Sequence, residues 1–327
     1  MSAVTDTSET PIVAHQVRGS MPAHHIAIFA GLLLIALAAP FFLYPVFLMK
    51  VLCFALFACA FNLLLGFGGL LSFGHAAYFG GAAYVSAHAA KVWGLTPELA
   101  ILTGTLGAAV LGLAIGSLAI RRQGIYFAMV TLAFAQMVFF FSVQAPFTGG
   151  EDGIQNVPRG DLFGVFSLRS DFTLYFAVLV ITFAGLLAIY RIIHSPFGQV
   201  LKAIRENEPR AVSLGYRVNR YKLMVFVLSA GLAGLAGATK AIVFQLASLT
   251  DVYWTMSGEV VLMTLLGGMG TVFGPIVGAA IIVTMQNYLA TFGAWVTIIQ
   301  GVIFVISVML FREGIVGVIA RLIKKPL

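Results

Sequence analysis

Long uninterrupted runs of Leu, Ala, Phe, Gly and Val fill most of the 327-residue sequence. A membrane-spanning helix needs about 20 mainly apolar residues, whereas the strands of a membrane barrel are short and alternate apolar with polar residues. Apolar residues make up 60% of the chain and its mean hydropathy is +1.01. Soluble domains contain about 45–50% apolar residues. We therefore predict an all-α fold, a polytopic membrane helical bundle.

Ten apolar segments follow one another along the chain. The last three divide a dense apolar region, residues 257–311, whose length suits three short crossings. We predict about ten transmembrane helices, over residues 25–43, 46–66, 70–90, 98–119, 124–145, 172–190, 222–245, 257–270, 274–291 and 295–311.

Basic residues lie at the ends of these segments and orient the chain, because Lys and Arg are retained on the cytoplasmic side. Arg121 and Arg122 share one connection, seven Lys and Arg lie from Arg191 to Lys222, and a basic end follows the last segment. Connection 146–171 has four acids against two arginines, a net charge of −2. Ten crossings with both termini in the cytoplasm satisfy all of these placements.

The N-terminal segment is predicted not to be cleaved as a signal peptide. Residues 36–38, Ala-Leu-Ala, resemble a signal-peptidase site, but a start that carries Asp6 and Glu9 is a poor signal peptide. The predicted organisation is a cytoplasmic polar tail, 1–23, a transmembrane domain, 24–312, containing an external loop, 146–171, and a cytoplasmic loop, 191–221, and a basic cytoplasmic tail, 313–327.

Several other classes of protein are disfavoured. The net charge is +7, but the basic residues form no continuous patch, so no nucleic-acid partner is predicted. Cys53 and Cys59 lie in one apolar run without supporting ligands, which predicts packing rather than a metal site. The sequence contains no G-x-x-x-x-G-K-[ST] phosphate loop and no clustered acid, base or nucleophile. The chain is therefore predicted to be neither an enzyme nor itself an ATP-binding protein.

Two glycine-rich segments repeat one pattern: Gly-Gly, a few residues, Phe-Gly, then Gly-Ala. Paired glycine-interrupted segments in the two halves of a chain are typical of a translocation path, although glycines at this density also suit close helix packing. Both interpretations stay open. The segments are "GGLLSFGHAAYFGGAAY" (68–84) and "GGMGTVFGPIVGAA" (267–280), and together with polar residues at apolar depth they predict a pathway of Asn62, Ser72, Gly74, His75, Glu259, Gly267 and Gly268.

One charged stretch, in the predicted cytoplasmic loop, interrupts this apolar chain. Ser195 and Pro196 form a typical helix start, and the apolar residues that follow recur on one helix face. Pro209 begins a second short helix, which Gly215 is suited to end. Such a helix could lie on anionic headgroups, but Glu206 and Glu208 favour docking into a protein groove.

The stretch "GQVLKAIRENEPRAVSLG" (198–215) resembles the cytoplasmic coupling loop of branched-chain amino acid ABC importer permeases of the LivM type. Further segments agree with this family in the same order, and the resemblance covers most of the chain from about residue 60 to 312. They are the first glycine-rich segment, "TGGEDGIQNVPR" (148–159), "YKLMVFVLSAGLAGLAGA" (221–238) and "SGEVVLMTLLGGMGTVFGPIVGA" (257–279).

This resemblance implies a permease subunit of a bacterial inner-membrane importer for branched-chain or other hydrophobic amino acids. It implies a second, similar permease, two cytoplasmic ATPase subunits that carry ATP and Mg, and an external substrate-binding protein. A urea or amide permease is the nearest alternative, and a secondary carrier or channel is a further one. The resemblance assigns ATPase coupling to Gly198, Ala203, Ile204, Arg205, Glu206, Glu208, Arg210 and Gly215, and binding-protein docking to Gly149, Gly150, Asp152 and Gly153.

Overall fold

The computed structural model describes residues 23–164, 166–290, 293, 295–310 and 314–323. The chain divides into two compact units, residues 1–38 and 39–327. The first unit contributes one described helix, α1, Ala23–Ala38. The predicted polar tail therefore lies outside the described residues except for Ala23, and the predicted basic tail is described only over 314–323.

The described part of the second unit is mainly helical. Short turns and four two-residue strands connect its helices. The helices are α2, Pro45–Asn62, continued by a π-turn, Leu63–Phe67; α3, His75–Lys91; α4, Pro97–Ala119; α5, Ile125–Gln144; α6, Asp171–His194; α7, Pro196–Glu206; α8, Glu208–Ser213; α9, Val218–Phe244; α10, Leu249–Val252; α11, Trp254–Gly267; α12, Gly274–Leu289; α13, Trp295–Leu310; and α14, Gly314–Ile323.

A helix lies over each of the ten predicted spans, and five described helices are long and apolar enough to cross a membrane. This confirms an all-α, multi-pass membrane protein, while the number ten stays a prediction. The five are Pro45–Phe67, Pro97–Ala119, Ile125–Gln144, Asp171–His194 and Val218–Phe244.

The helix expected from residue 70 begins at His75 instead. Gly69 has a φ of +70°, a left-handed conformation that ends the preceding turn, and residues 68–74 contain no helix. The second glycine-rich segment breaks in the same way, because Gly268 and Gly270 have φ of +129° and +80°. Both segments thus interrupt the helices around them.

Helix α9 lies at the centre of the second unit and packs against α2, α3 and α4. Small side chains permit this close approach. A Cβ at Gly237 would overlap the carbonyl of Phe79 on α3, and one at Gly112 on α4 would collide with the side chain of Ala230. Glycine therefore sets the distance between these helices.

The predicted external loop, 146–171, is folded against the end of α9. Strand β1, Ile154–Gln155, pairs antiparallel with β4, Leu246–Ala247, which directly follows α9. A second small sheet is formed within the loop by β2, Asp161–Leu162, and β3, Phe166–Ser167. The loop is consequently fastened to the bundle at its middle.

Candidate functional site

The two helices predicted in the charged stretch are both present. Ser195 Oγ accepts a hydrogen bond from the Gly198 amide at 3.3 Å, and Pro196 occupies the first helical position of α7. Helix α7 buries Leu201 and Ile204 against the rest of the chain. Ile204, Ala211 and Val218 form a small buried cluster that holds α7, α8 and the start of α9 together.

Pro209 belongs to the second helix. Asn207 Oδ1 accepts a hydrogen bond from the Arg210 amide at 3.0 Å and caps α8, a role that sequence reasoning did not assign. Gly215 follows α8 with a φ of +87°. The pair of helices α7 and α8, called the charged helix pair below, is therefore an ordered element with a defined end.

The eight predicted coupling residues divide into two groups. The first group contacts other parts of the chain and consists of Gly198, Ile204, Arg205 and Glu208. Gly198 lies against the carbonyls of Ile192 and Ile193. Glu208 Oε1 accepts hydrogen bonds from Lys222 Nζ at 2.8 Å and Gln123 Nε2 at 3.2 Å. Ala203, Glu206, Arg210 and Gly215 are exposed, and so is Arg205 despite its hydrogen bond within the chain. Among the described residues, the side chains of Glu206 and Arg210 form no salt bridge, so they are free to meet a partner.

Arg205 connects the charged helix pair to the first helix break. Its Nη1 donates a hydrogen bond to the carbonyl of Gly66, in the π-turn that ends α2. The aliphatic part of Arg205 lies close to Gly69, where a Cβ would come within 3.1 Å of Arg205 Cγ. Lys202 Nζ lies 5.8 Å from the centre of the Phe67 ring.

Asn62 connects the first break to the second. The side chain is 2% exposed, its Nδ2 donates to the Thr271 carbonyl at 2.8 Å, and its Oδ1 accepts from the Gly270 amide at 3.0 Å. A cavity of about 480 Å³ lies at this meeting point. It is lined by Phe67, Lys202, Arg205, Glu206 and Gly270. We call this meeting point of α2, α7 and the α11–α12 loop the glycine junction.

The other predicted pathway residues lie in three places: the turn and start of α3, the middle of α11, and the end of α11. His75 is fully buried beside the rings of Phe61, Tyr78 and Phe226, and its Nε2 lies 2.9 Å from Ser229 Oγ. Such an environment is typical of a packed structural histidine.

Ser72 and Gly74 belong to the turn before α3, where the Gly74 amide donates to Ser72 Oγ at 3.2 Å. Gly267 packs α11 against α12, because a Cβ there would overlap the Gly274 carbonyl, and Gly268 begins the loop between them. Glu259 Oε2 accepts a hydrogen bond from Gln286 Nε2 at 3.0 Å, which joins α11 and α12. A shared pathway for all seven residues stays a prediction.

The predicted docking turn of the external loop is exposed and rigidly supported. Gly149, Gly150 and Gly153 all have positive φ, from +60° to +79°, and Glu151 and Asp152 between them are exposed. Gly153 itself is buried, and a Cβ there would overlap the Ala247 carbonyl on β4.

Two features of the external loop and its surroundings escaped sequence reasoning. Arg159 forms a salt bridge with Asp171 at 2.8 Å and donates to the Val243 carbonyl at 3.0 Å. Lys240 Nζ lies 2.5 Å from Asp251 Oδ1, beside three phenylalanine rings, in a pair whose side chains are 15% and 3% exposed. A lysine in an apolar helix was the signal, but its partner in the next connection was not evident.

The protein is a multi-pass membrane protein of the transporter class. Five of its described helices are long enough to cross a membrane, two helix breaks adjoin, and the charged helix pair is anchored at those breaks. Residues 43–308 match the family model of the branched-chain amino acid transport system / permease component. The chain belongs to this permease family, as the resemblance of its motifs predicted.

Curated relatives agree with this assignment. The LivM high-affinity branched-chain amino acid transport system permease of Escherichia coli K12 is 29% identical, over 64% of this chain and 55% of the relative. The chain thus spans about half the length of LivM. The RbsC ribose import permease of Bacillus subtilis 168 is 28% identical, over 68% of this chain and 70% of the relative.

A solved structure of PsaBC from Streptococcus pneumoniae in complex with Fab covers 86% of this chain and 95% of that chain at 18% identity, with a TM-score of 0.41.

Proposed function

We propose that this chain is the translocating subunit of an ATP-driven importer in a bacterial inner membrane, with both termini in the cytoplasm. The match to the permease family over residues 43–308 carries the proposal. This range includes the charged helix pair, the external loop and both glycine-rich segments. The chain would work by alternating access, in which a passage opens to each side of the membrane in turn.

The charged helix pair is the proposed contact with the ATPase subunits. Ala203, Glu206 and Arg210 would meet the ATPase, because they are exposed. Arg205 would transmit the movement of the ATPase, because Arg205 bonds the Gly66 carbonyl at the glycine junction. Since Asn62 ties α2 to the α11–α12 loop within that junction, a shift of α7 would reach both helix breaks together.

The proposed assembly contains a second, similar permease and two ATPase subunits, which bind ATP and Mg. An external binding protein would deliver the substrate at the exposed turn of Gly149, Gly150, Asp152 and Gly153. The acidic Glu151 and Asp152 suit a basic surface on that protein.

Branched-chain or other hydrophobic amino acids are the proposed substrates, because LivM is a branched-chain amino acid permease by name. The similarity to RbsC favours a second candidate, a pentose such as ribose. Urea or a small amide is a third candidate, since such importers resemble this superfamily.

Reconstitution into liposomes with the two ATPases, the second permease and the binding protein tests this proposal. We expect ATP-dependent uptake of labelled leucine, and much weaker uptake of ribose and urea. Uptake of ribose or urea in preference to leucine would replace the substrate but keep the importer. Uptake down a gradient by this chain alone would instead establish a secondary carrier or channel.

A further inference from the structure

The ends of α4 and α9 that lie on the predicted cytoplasmic side are separated by a groove. A cavity of about 240 Å³ opens there. Gly116, Ile120 and Leu223 form its apolar wall, and Ser117, Arg121, Asn219 and Arg220 complete its lining. The groove therefore combines an apolar wall with two arginine side chains in its lining.

A second cavity, of about 360 Å³, continues the groove beyond Arg220. Arg220 lines both cavities, and Arg217, Tyr216 and Met224 line the second. Neither cavity is lined by an acidic side chain, and among the described residues none of these three arginines forms a salt bridge. The acid nearest in sequence, Glu208, is already paired with Lys222.

The groove continues into an exposed apolar stripe on α4. Leu99, Leu102, Leu106, Val110 and Leu113 recur every three or four residues, and each is exposed. Ser117, in the groove, occupies the next position of the same stripe. On α9, Met224 and Leu228 are also exposed. An acyl chain lying on this stripe would have its polar end at the arginines.

We propose that this groove binds an anionic phospholipid of the cytoplasmic leaflet. The phosphate lies between Arg121 and Arg220, and one acyl chain extends along α4 over Leu113 and Val110. Basic pockets between helices at the cytoplasmic surface are suited to acidic headgroups. Net charge decides between ligands here, because the choline cation of a zwitterionic headgroup offsets the charge of its phosphate and would lie near the two arginines.

Native mass spectrometry of the full purified chain tests this site with phosphatidylglycerol as the probe and phosphatidylcholine as the neutral comparison. Arg121→Gln/Arg220→Gln should retain phosphatidylglycerol roughly 10- to 30-fold more weakly, since each arginine near the surface contributes about a tenfold or smaller factor. The control Arg122→Gln/Arg191→Gln removes the same charge from exposed positions outside both cavities. It should retain the lipid normally.

A second pair of variants tests the apolar part of the groove without changing charge. Ser117→Trp fills the groove and should also release phosphatidylglycerol. Ser213→Trp, at another exposed serine that bonds a carbonyl within its own helix, should not. The cytoplasmic placement of the lipid rests on the proposed orientation of the chain, but these measurements need no transport, so the lipid site can fail while the proposed function holds.

Three outcomes would overturn the lipid site. Equal losses in the two arginine double variants would show general attraction to basic residues. Equal retention of phosphatidylcholine would show that charge is not recognised. Unchanged lipid in Ser117→Trp, combined with lost co-purification of another subunit in Arg121→Gln/Arg220→Gln, would assign the groove to a protein partner.

Discussion

The side-chain amide of Asn62 forms two hydrogen bonds with the backbone of the α11–α12 loop: its Nδ2 donates to one group and its Oδ1 accepts from another. Asn62→Leu keeps the side-chain volume but leaves the Gly270 amide and the Thr271 carbonyl without this partner. An unsatisfied buried group costs about 1–3 kcal/mol. Because these two groups are only partly buried, we expect a cost towards the lower end and thermal unfolding in detergent at a lower temperature. Fluorescence-detected chromatography after heating measures this.

Asn287→Leu is the matched control, because Asn287 is exposed on α12. It should leave the unfolding temperature nearly unchanged. If both variants unfold at the wild-type temperature, the Asn62 bonds do not stabilise the junction.

The buried pair Lys240–Asp251 gives a second prediction at single residues. Lys240→Met leaves the Asp251 carboxylate buried without its cation, and Asp251→Leu leaves the ammonium alone. Removal of one partner of a buried pair costs about 3–5 kcal/mol, whereas replacement of both by apolar residues is often neutral. We expect each single variant to lower the yield of monodisperse protein and the double variant to restore it.

Chromatographic yield and thermal unfolding of the four proteins form a double-mutant cycle. Additive losses, with the double variant the least stable, would contradict this role of the pair. None of the four proteins alters the nearby Phe54, Phe79 or Phe244.

At the scale of elements, the external loop depends on the pairing of β1 with β4. Gly153→Ala would place a Cβ on the Ala247 carbonyl and force a non-glycine residue to a φ of +68°. We expect the loop to detach and limited proteolysis between residues 146 and 171 to become faster by several-fold.

Gly164→Ala separates backbone strain from the collision. Gly164 has a φ of +70°, but nothing lies within 4 Å of the position of its Cβ. This variant should be cleaved at a rate much closer to that of the wild type. Equal acceleration in both variants would mean that strain alone, and not the strand contact, controls the loop.

The same elements show what sequence reasoning can reach. Helix α7 was predictable because Ser195, Pro196 and its apolar periodicity are local signals. The late start of α3 was missed because hydropathy does not register a left-handed glycine such as Gly69 within an apolar run. The Asn62–Thr271 bond joins residues 209 positions apart, and no local pattern reveals such a contact.

At the scale of the whole molecule, the charged helix pair combines exposed charges with one bond to the rest of the bundle. Glu206, Arg210 and Arg205 are all exposed, but Arg205 also bonds the chain's own Gly66 carbonyl. The family resemblance placed all three in the ATPase contact, and no local pattern reveals that Arg205 reaches the Gly66 carbonyl, 139 positions away. We therefore expect that the proposed ATPase contact and the proposed transmission of its movement can be separated by mutation.

Glu206→Arg or Arg210→Glu should weaken co-purification of the ATPase subunits and reduce both uptake and its ATP dependence, since the exposed charges change sign. Arg205→Gln should leave co-purification and ATP hydrolysis near wild type but lower uptake per ATP by about tenfold, because α7 loses its bond to the Gly66 carbonyl. A hydrogen bond to a charged group contributes about 1.5–3 kcal/mol, which is enough for a tenfold change in uptake. Arg191→Gln, an exposed arginine outside the pair, is the charge control. Proteoliposomes with all subunits give uptake and hydrolysis in one sample. Loss of ATPase binding in Arg205→Gln would return this residue to the docking face, and normal uptake in all three variants would remove the charged helix pair from the coupling mechanism.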